Sequence, residues 1–265
     1  MTHFRNVLFV PHGSPTFALE PGAAGAAMSA IAAELPAPRA IVVVSPHWDT
    51  RMPTVSTATQ LETIHDFYGF PQELYQLSYP ATGCPEGAHE VAAAISAAGL
   101  PVREVASNGL DHGAWVPLRL MYPDADVPVI PVSLQSHAGV DHAYKLGLAL
   151  SPLVKKDFLI IGSGNITHNL RDYMIARQNG GQTPNYVRDF PEWMATHLHE
   201  GDLDSLLHYR EKAPGARNAH PTDEHLLPLY VALGAAGGDA DVQRFHAGIS
   251  DFVLAMDAYA FSSKH

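Results

Sequence analysis

The sequence predicts an α/β protein in which helices flank a central sheet that is mostly parallel or mixed. Short runs of β-branched and other apolar residues recur along the chain, and longer segments with helical periodicity separate them. The first two runs are continuously apolar, as expected of strands that helices cover on both faces. No internal repeat, low-complexity tract or linker divides the sequence, and its 265 residues suit one large domain. We therefore expect a single domain over residues 1–265.

The predicted elements follow one another in an alternating order of strands and helices. Strands are predicted at 6–10, 40–44, 127–134 and 158–161, with an ambiguous last strand at 251–259. Helices are predicted at 23–35, 86–98, 140–150, 188–199, 203–208 and 224–233. Pro36 and Pro38 end the first helix, and Gly99 ends the second. Residues 48–83 contain few good helix formers, and we expect them to form a loop. A loop of this length inside a compact domain is usually functional.

The charge and composition of the chain exclude several classes of function. The 27 acidic side chains outnumber the 16 Lys and Arg side chains, which gives a formal net charge of −11. No run of basic residues offsets this charge, so nucleic acid is not an expected partner. The apolar stretch 7–10 is much shorter than a signal-peptide core, and no apolar segment reaches membrane-spanning length. The chain has one cysteine, Cys84, so it forms no internal disulfide. From these features we expect a cytoplasmic protein with no membrane partner.

Histidine is unusually frequent, with 16 residues, and its positions are informative. His12 lies two residues beyond the first predicted strand and His47 lies just beyond the second, each directly after a proline. In a parallel arrangement both side chains would reach the carboxyl edge of the sheet, where open α/β sheets bind ligands. Neutral imidazoles bind zinc and iron well, and they transfer protons near neutral pH. The repeated pattern therefore predicts a metal-centred active site at the carboxyl edge of the strands.

A third histidine, His168, follows the predicted strand 158–161 through a Gly-rich turn. We expect Asn165 to cap a helix there, which would place His168 on the first helical turn. A phosphate cradle is a rival interpretation of Gly162-Ser163-Gly164-Asn165, but the turn lacks the third glycine of the dinucleotide fingerprint and the lysine of a P-loop. His220 and His225 complete the set of histidines near predicted element ends.

Six motifs occur in an order that points to a known family. They are Pro11-His12-Gly13-Ser14-Pro15, Ser45-Pro46-His47-Trp48, Thr63-Ile64-His65-Asp66-Phe67-Tyr68-Gly69-Phe70-Pro71, Leu110-Asp111-His112-Gly113, Gly164-Asn165-Ile166-Thr167-His168-Asn169-Leu170 and His220-Pro221-Thr222-Asp223-Glu224-His225. Together they resemble the class III extradiol ring-cleaving dioxygenases, specifically the DOPA 4,5-dioxygenase branch of bacteria and betalain-making plants. The resemblance covers roughly the whole chain. It implies a non-haem, metal-dependent enzyme that inserts both atoms of O₂ into DOPA or a similar catechol and cleaves the ring to a semialdehyde.

The resemblance also implies a role for individual side chains. His12 and His47 match the two histidine metal ligands, and His225 matches the third ligand of the DOPA branch. His168 matches the catalytic base beside the metal, which is sometimes counted as a fourth ligand. His112 matches a second active-site histidine that would act as the partner of the base.

Three further residues are candidates for the wall of the substrate pocket. His65 lies in the motif that lines this pocket in the family. The aromatic rings of Trp48 and Phe67 are candidates to flank the substrate ring. No residue type in the motifs points to the partners of the carboxylate and amine of a DOPA-type substrate.

Two alternatives concern the third metal ligand and the identity of the metal. More distant class III relatives use two histidines and one carboxylate, and Glu224, next to His225, is the carboxylate at that position. Neighbours on a helix point about 100° apart, so the two side chains would not both face the ion, and His225 is the predicted ligand. Fe(II) is the expected metal for the reaction, although a three-histidine site also suits zinc.

Two other classes of function would use the same residues. A zinc hydrolase would generate hydroxide on the metal, with His168 as the base. A metal-buffering or sensing protein would carry its histidines in exposed tandem clusters, whereas here they are scattered along the chain at predicted strand and helix ends. The scatter favours an assembled pocket and an enzyme. Its expected partners are a small-molecule catechol and O₂, in a monomer or a homodimer.

Overall fold

A mixed sheet lies at the centre of the computed structural model, which describes residues 6–178, 181–238 and 240–262. The strands of these residues are β1 Val7–Pro11, β2 Ala40–Asp49, β3 Thr54–Ser56, β4 Arg103–Val105, β5 Val129–Leu134, β6 Phe158–Gly164, β7 Asp241–His246, β8 Ile249–Ser250, β9 Leu254–Ala255 and β10 Ala258–Ser262. Eight of them form the central sheet in the order β4-β3-β5-β2-β6-β1-β10-β7. The remaining two, β8 and β9, form a separate antiparallel pair.

The middle of the sheet is parallel, and antiparallel pairs join it to its outer strands. β5, β2, β6 and β1 pair in parallel, whereas β10 adds to β1 and β7 adds to β10 in the antiparallel direction. β3 runs antiparallel to β5 and parallel to β4. The predicted α/β class with a central mixed sheet is therefore confirmed.

Helices pack on both faces of this sheet. In the described part of the chain they are α1 Gly22–Glu34, α2 Pro85–Ala97, α3 His112–Met121, α4 Gly139–Val154, α5 Leu170–Gln178, α6 Tyr186–Glu200, α7 Leu203–Leu207, α8 Tyr209–Lys212, α9 Ala216–Ala219 and α10 Leu227–Ala236. Val7 and Phe9 of β1 share a core with α2, α4 and α10, while Leu8 and Val10 share the opposite core with α1 and α3. Because successive strand residues point to opposite faces, both sets must be apolar. None of the described helices is long and apolar enough to cross a membrane.

The ends of three neighbouring parallel strands meet at one edge of the sheet. In the register of β1 and β6, Pro11 lies opposite Gly164, and the backbone N–H of His12 donates to the Gly164 carbonyl at 3.2 Å. β2 lies on the other side of β6 and carries His47 near its carboxyl end. His12 and His47 thus reach the same edge, as the repeated Pro-His pattern predicts.

The helix predicted at 224–233 begins three residues later than expected. α10 begins at Leu227, and a turn precedes it. Pro228 lies in the first turn of α10, where its missing N–H needs no partner, and this favours a start at that point. The geometric premise for choosing between Glu224 and His225 is therefore wrong, because the two residues do not lie on a helix.

The loop after β6 also differs from the prediction. Asn165 does not cap a helix, and its Oδ1 accepts the backbone N–H of Gly13 at 3.2 Å. α5 begins later, and Asn169 caps it, because Asn169 Oδ1 accepts the N–H of Asp172 at 3.0 Å. His168 consequently precedes the helix instead of lying on its first turn.

The ambiguous last strand, predicted at 251–259, is interrupted. Residues 251–253 form a turn, the short strand β9 follows, and β10 begins at Ala258. Asp251 and Phe252 adopt φ values of 49° and 65°, which lie in the left-handed region and bend the chain here. One continuous strand is excluded by this bend.

Candidate active site

Histidine side chains from five segments of the chain meet at the carboxyl edge of the sheet. They are His12 after β1, His47 near the end of β2, His112 at the start of α3, His168 after β6 and His225 before α10. The ring centroid of His47 lies 4.0 Å from that of His112 and 5.1 Å from that of His12. The ring of His225 lies 5.2 Å from His47 and 5.4 Å from His12. It is stacked on the ring of His168, with centroids 3.5 Å apart and planes 7° apart.

The loop after β1 positions His12. Gly13 has a φ of 61°, which glycine adopts without strain, and its N–H donates to Asn165 Oδ1. His12 is 1% exposed, and its Nδ1 lies 3.1 Å from Ser163 Oγ. Because Ser163 Oγ donates its own proton to the Gly113 carbonyl, it accepts one from His12 Nδ1. The lone pair of the His12 ring is therefore on Nε2.

One carboxylate, Asp66, contacts two of the imidazoles. Its Oδ2 lies 3.0 Å from Nδ1 of His112 and 3.4 Å from Nδ1 of His47. Its Oδ1 accepts the backbone N–H of His112 at 2.8 Å. His112 Nδ1 donates a hydrogen bond to this carboxylate, which leaves Nε2 of His112 with a lone pair, while Nδ1 of His47 faces the same oxygen at the longer distance. His47 Nε2 lies 3.4 Å from His12 Nε2, so the outer nitrogens of these two rings are close together.

A buried carboxylate, Asp111, holds the start of α3 against β2. Its Oδ1 accepts the N–H of Ala114 at 3.2 Å, as an N-cap does, and the hydroxyl proton of Ser45 at 2.6 Å. Burial raises the pKa of Asp111 to about 6, although the hydrogen bond from Ser45 opposes the change. This contact links the helix that begins at His112 to the strand that carries His47.

The turn before α10 presents His225 together with Glu224. His225 is 7% exposed, and its Nδ1 lies 3.3 Å from Glu224 Oε1. Its carbonyl accepts the N–H of Asn165 at 2.9 Å. A Cβ at Gly164 would lie 2.2 Å from that carbonyl oxygen, so the turn approaches β6 more closely than any other residue would allow. The end of β6 thus fixes the position of His225.

These contacts fit the chemistry of a metal site. Nδ1 of four imidazoles faces an oxygen of a neighbouring side chain, in His12, His47, His112 and His225. Such outer contacts fix the tautomer and orientation of histidine ligands and leave Nε2 for the ion. Two groups have ligand atoms within 4.8 Å of one another and could hold a metal ion, namely His12 with His47 and His112, and His168 with Glu224 and His225.

Four of these imidazoles, those of His12, His47, His168 and His225, are held in their neutral form. Burial, and then the neighbouring imidazoles, lower the pKa of His12 well below its ordinary value. The same causes lower the pKa of His47 and of His168 to about 2. Burial also lowers the pKa of His225, although the hydrogen bond to Glu224 opposes it. Neutral imidazole is the form that binds a metal ion or accepts a proton.

A cavity of about 250 Å³ opens beside these histidines, and all five of them line it. Phe67, Phe70, Val253 and Leu254 supply apolar walls. The volume is below the roughly 300–1,000 Å³ that is typical of pockets for drug-sized ligands. The cavity therefore suits a molecule with a single ring.

The three residues predicted at the substrate wall have different positions. Phe67 lines the cavity, whereas Trp48 is half-buried near the end of β2 and outside the lining. His65 is also outside the lining and packs against Phe67, with ring centroids 5.8 Å apart. Its Nε2 lies 3.0 Å from the carbonyl oxygen of Leu77. His65 is thus placed to support Phe67.

Sequence reasoning missed Asp66, Ser163, Tyr173 and Asp251. Asp66 directly follows His65 in one of the six motifs, and Ser163 lies in the Gly-rich turn. A metal-binding imidazole needs an oxygen partner at its second nitrogen, but the sequence does not show which residue supplies it, because Ser163 and Asp66 are distant in the chain from His12 and His112. Tyr173 and Asp251 line the cavity but have no motif around them.

The chain matches the family model described as the catalytic LigB subunit of aromatic ring-opening dioxygenase over residues 7–253. It is 38% identical over 265 residues to "4,5-DOPA dioxygenase extradiol" of Beta vulgaris, with 98% of each chain covered. It is 36% identical over 240 residues to the Escherichia coli K12 protein of the same name, with 89% of this chain and 86% of the relative covered. A crystal structure of an uncharacterized Escherichia coli K12 protein has a TM-score of 0.78 and 29% identity, covering 96% of this chain and 98% of that one. This chain therefore belongs to the LigB family of aromatic ring-opening dioxygenases, and it is an extradiol ring-cleaving oxidoreductase.

Proposed function

We propose that this chain cleaves DOPA or a similar single-ring catechol with Fe(II) held by His12, His47 and His225. The observation that carries the proposal is the convergence of five imidazoles on a cavity of about 250 Å³. The relatives from Beta vulgaris and Escherichia coli are named for extradiol cleavage of DOPA. In the proposed reaction both atoms of O₂ enter the catechol and the ring opens to a semialdehyde.

The spacing of the rings supports His225 as the third ligand in preference to His112. An imidazole nitrogen binds Fe or Zn at about 2.1 Å, so the ring centroids around one ion are expected roughly 5 Å apart. The rings of His12, His47 and His225 are separated by 5.1, 5.2 and 5.4 Å, a nearly equilateral triangle. With His112 in place of His225, one separation falls to 4.0 Å.

Glu224 is assigned a supporting role. Its Oε1 lies 3.3 Å from His225 Nδ1, so it orients the imidazole from behind. Removing Glu224 is therefore expected to weaken metal binding, whereas removing His225 is expected to abolish it. Measurement of bound metal in Glu224→Ala and His225→Ala separates the two roles, and full metal retention by His225→Ala would contradict the assignment.

The remaining histidines are proposed to move protons. The bound ion would lower the pKa of the catechol hydroxyls and activate O₂. His168 is neutral, lines the cavity and stacks on His225, so it is suited to accept the first catechol proton. His112 is anchored by Asp66 through Nδ1 and keeps Nε2 for a second transfer. One histidine that has accepted a proton can return it later in the cycle.

The test is anaerobic reconstitution of the protein with Fe(II), followed by DOPA and air. We expect uptake of O₂ together with a yellow semialdehyde product. A Zn(II)-loaded sample is the control, and it is expected to consume no O₂. Absence of both O₂ uptake and colour, with iron confirmed bound, would contradict the proposed function. Hydrolytic activity of the zinc form without O₂ would favour a hydrolase instead.

A further inference from the structure

The cavity has a deep end and a mouth. His12, at 1% exposure, marks the deep end. Tyr173 of α5 also lines the cavity, and the same helix exposes 64% of Leu170 to solvent. Asp251 lines the cavity from the turn 251–253, in which Phe252 is 38% exposed. Tyr173 and Asp251 thus line the cavity from segments that also expose side chains to solvent, and we take this side of the cavity as its mouth.

Asp251 brings a carboxylate without a cationic partner to the mouth. It is the single acidic residue among the described lining residues, which include no Lys or Arg. Its Oδ2 accepts the hydroxyl proton of Ser250 at 3.1 Å, and no Lys or Arg of the described chain forms an ion pair with it. Phe252, in the same turn, has a φ of 65°, which is unfavourable for a bulky residue. The turn that places Asp251 on the cavity wall therefore has a conformational cost. Such a carboxylate suits the ammonium group of a ligand.

The hydroxyl group of Tyr173 is suited to a negatively charged group of a ligand. Arg177 lies one helical turn further along α5, and its Nη1 donates to the Tyr173 hydroxyl oxygen at 3.2 Å. Because a guanidinium group only donates, the tyrosine oxygen accepts, and its own proton remains for another acceptor. The Arg177 Cζ also lies 5.7 Å from the Tyr173 ring centroid. Tyr173 lines the cavity and its hydroxyl group lies beside a cation, an arrangement that suits an anionic oxygen of a ligand.

We propose that Asp251 binds the α-ammonium, and the Tyr173–Arg177 pair the α-carboxylate, of a catecholic amino acid. This assignment rests on the proposed function, because it requires the catechol hydroxyls to face the histidines at the deep end. In DOPA the amino-acid group is attached to the ring opposite one of the two hydroxyls. With the hydroxyls at the deep end, the amino-acid group reaches the mouth. The two side chains would then select a zwitterionic substituent.

Four catechols that differ in charge test the two contacts separately. DOPA carries both charges, dopamine the ammonium alone, 3-(3,4-dihydroxyphenyl)propanoate the carboxylate alone, and 4-ethylcatechol neither. The value of kcat/KM is measured for each on the Fe(II)-loaded wild-type protein and on Asp251→Asn, Tyr173→Phe and Arg177→Met. Asp124→Asn, at an exposed turn residue outside the cavity lining, is the matched control for loss of one negative charge.

The expected result is a pattern of ratios. In wild type, kcat/KM is highest for DOPA and lowest for 4-ethylcatechol. Relative to 4-ethylcatechol, Asp251→Asn lowers kcat/KM about tenfold for the two catechols that carry an ammonium. Tyr173→Phe and Arg177→Met lower it by a similar factor for the two that carry a carboxylate. Asp124→Asn leaves all the ratios as in wild type.

Several outcomes would overturn the assignment. If wild type cleaves 4-ethylcatechol as efficiently as DOPA, neither charge is recognised, and this comparison does not depend on the folding of any variant. If Asp251→Asn lowers kcat/KM equally for all four catechols, Asp251 has a structural role and no ligand contact. The same criterion applies to Tyr173→Phe. Absence of turnover of every catechol, with iron bound, would contradict the proposed function and not this assignment alone.

Discussion

Replacing Gly164 with alanine tests whether the position of His225 controls metal binding. Gly164 ends β6, and a Cβ there would lie 2.2 Å from the His225 carbonyl oxygen and 3.1 Å from the ring of Phe9. The same carbonyl accepts the N–H of Asn165 at 2.9 Å, so the turn is held directly against the strand. The Gly164→Ala substitution must therefore push the turn that carries His225 away from the sheet edge.

The size of this displacement follows from the contact distance. Carbon–oxygen contacts are ordinarily about 3.3 Å or longer, so the separation must increase by about 1 Å. A shift of that size at a proposed ligand is expected to lower metal affinity by about 10- to 100-fold. The same misplacement is expected to lower kcat/KM by about 100-fold. Overpacking a filled site also costs about 1–3 kcal/mol of unfolding free energy.

A matched control separates the local effect from the general loss of stability. A Cβ at Gly234, near the end of α10, would lie 2.2 Å from the carbonyl oxygen of Tyr144, and neither residue lines the cavity. We expect Gly164→Ala and Gly234→Ala to lose similar stability in urea denaturation. Metal dissociation constants from competition with a chromophoric chelator should rise more than tenfold in Gly164→Ala alone. Equal metal affinity of the two variants would refute the reasoning.

Three further predictions concern Asp66 and the buried carboxylate of Asp257. Asp66→Asn should weaken metal binding by about 10- to 100-fold in a chelator competition, because Asp66 orients His47 and His112; unchanged affinity would show that the contact is dispensable. Arg244→Met should lower the unfolding free energy by about 1–3 kcal/mol at pH 8, measured in urea, because Asp257, 2.5 Å from Arg244 Nη2, loses its cationic partner and keeps only the longer hydrogen bond from the Tyr259 hydroxyl. Burial raises the pKa of Asp257 to about 6, so its carboxyl group binds a proton more tightly in the folded than in the unfolded state. The unfolding free energy therefore falls as the pH rises from about 4 through 6. Asp257→Asn should remove this slope from a stability–pH series, and the loss in Arg244→Met should be smaller at pH 5 than at pH 8.

The sequence predicted which edge of the sheet carries His12 and His47, because the two strands that precede them end in the same way. A Pro-His pair comes shortly after the apolar run of β1 and again after that of β2. Both strands belong to the parallel part of the sheet. Parallel strands share a carboxyl edge, so a local pattern was sufficient to place His12 beside His47. The stacking of His168 on His225 could not be predicted in this way, because it depends on how two loops pack together.

The position of Asp66 was beyond sequence reasoning for a similar reason. Asp66 lies 46 residues before His112 in the chain, in a long loop without regular periodicity, and only the path of that loop brings the two together. The start of α10 is a different case, because a signal was present. Pro228 favours the first turn of a helix, so it was an argument for a start near Leu227 and against one at Glu224.

The placement of Asp66 and Glu224 behind the imidazoles explains how a largely apolar cavity can accept a divalent ion. Both carboxylates contact Nδ1 of a proposed ligand, Asp66 at His47 and Glu224 at His225. Burial opposes ionisation of both carboxylates, but hydrogen bonds with His112 and His225 lower the pKa of Asp66 and of Glu224, so both carry a negative charge that an ion at the Nε2 side would offset. A carboxylate can thus stabilise a metal site through the imidazole that it contacts, without being a ligand of the ion. With His225 as a ligand, as proposed, Glu224 would act on the ion through that imidazole, in place of the directly bound carboxylate of two-histidine, one-carboxylate sites.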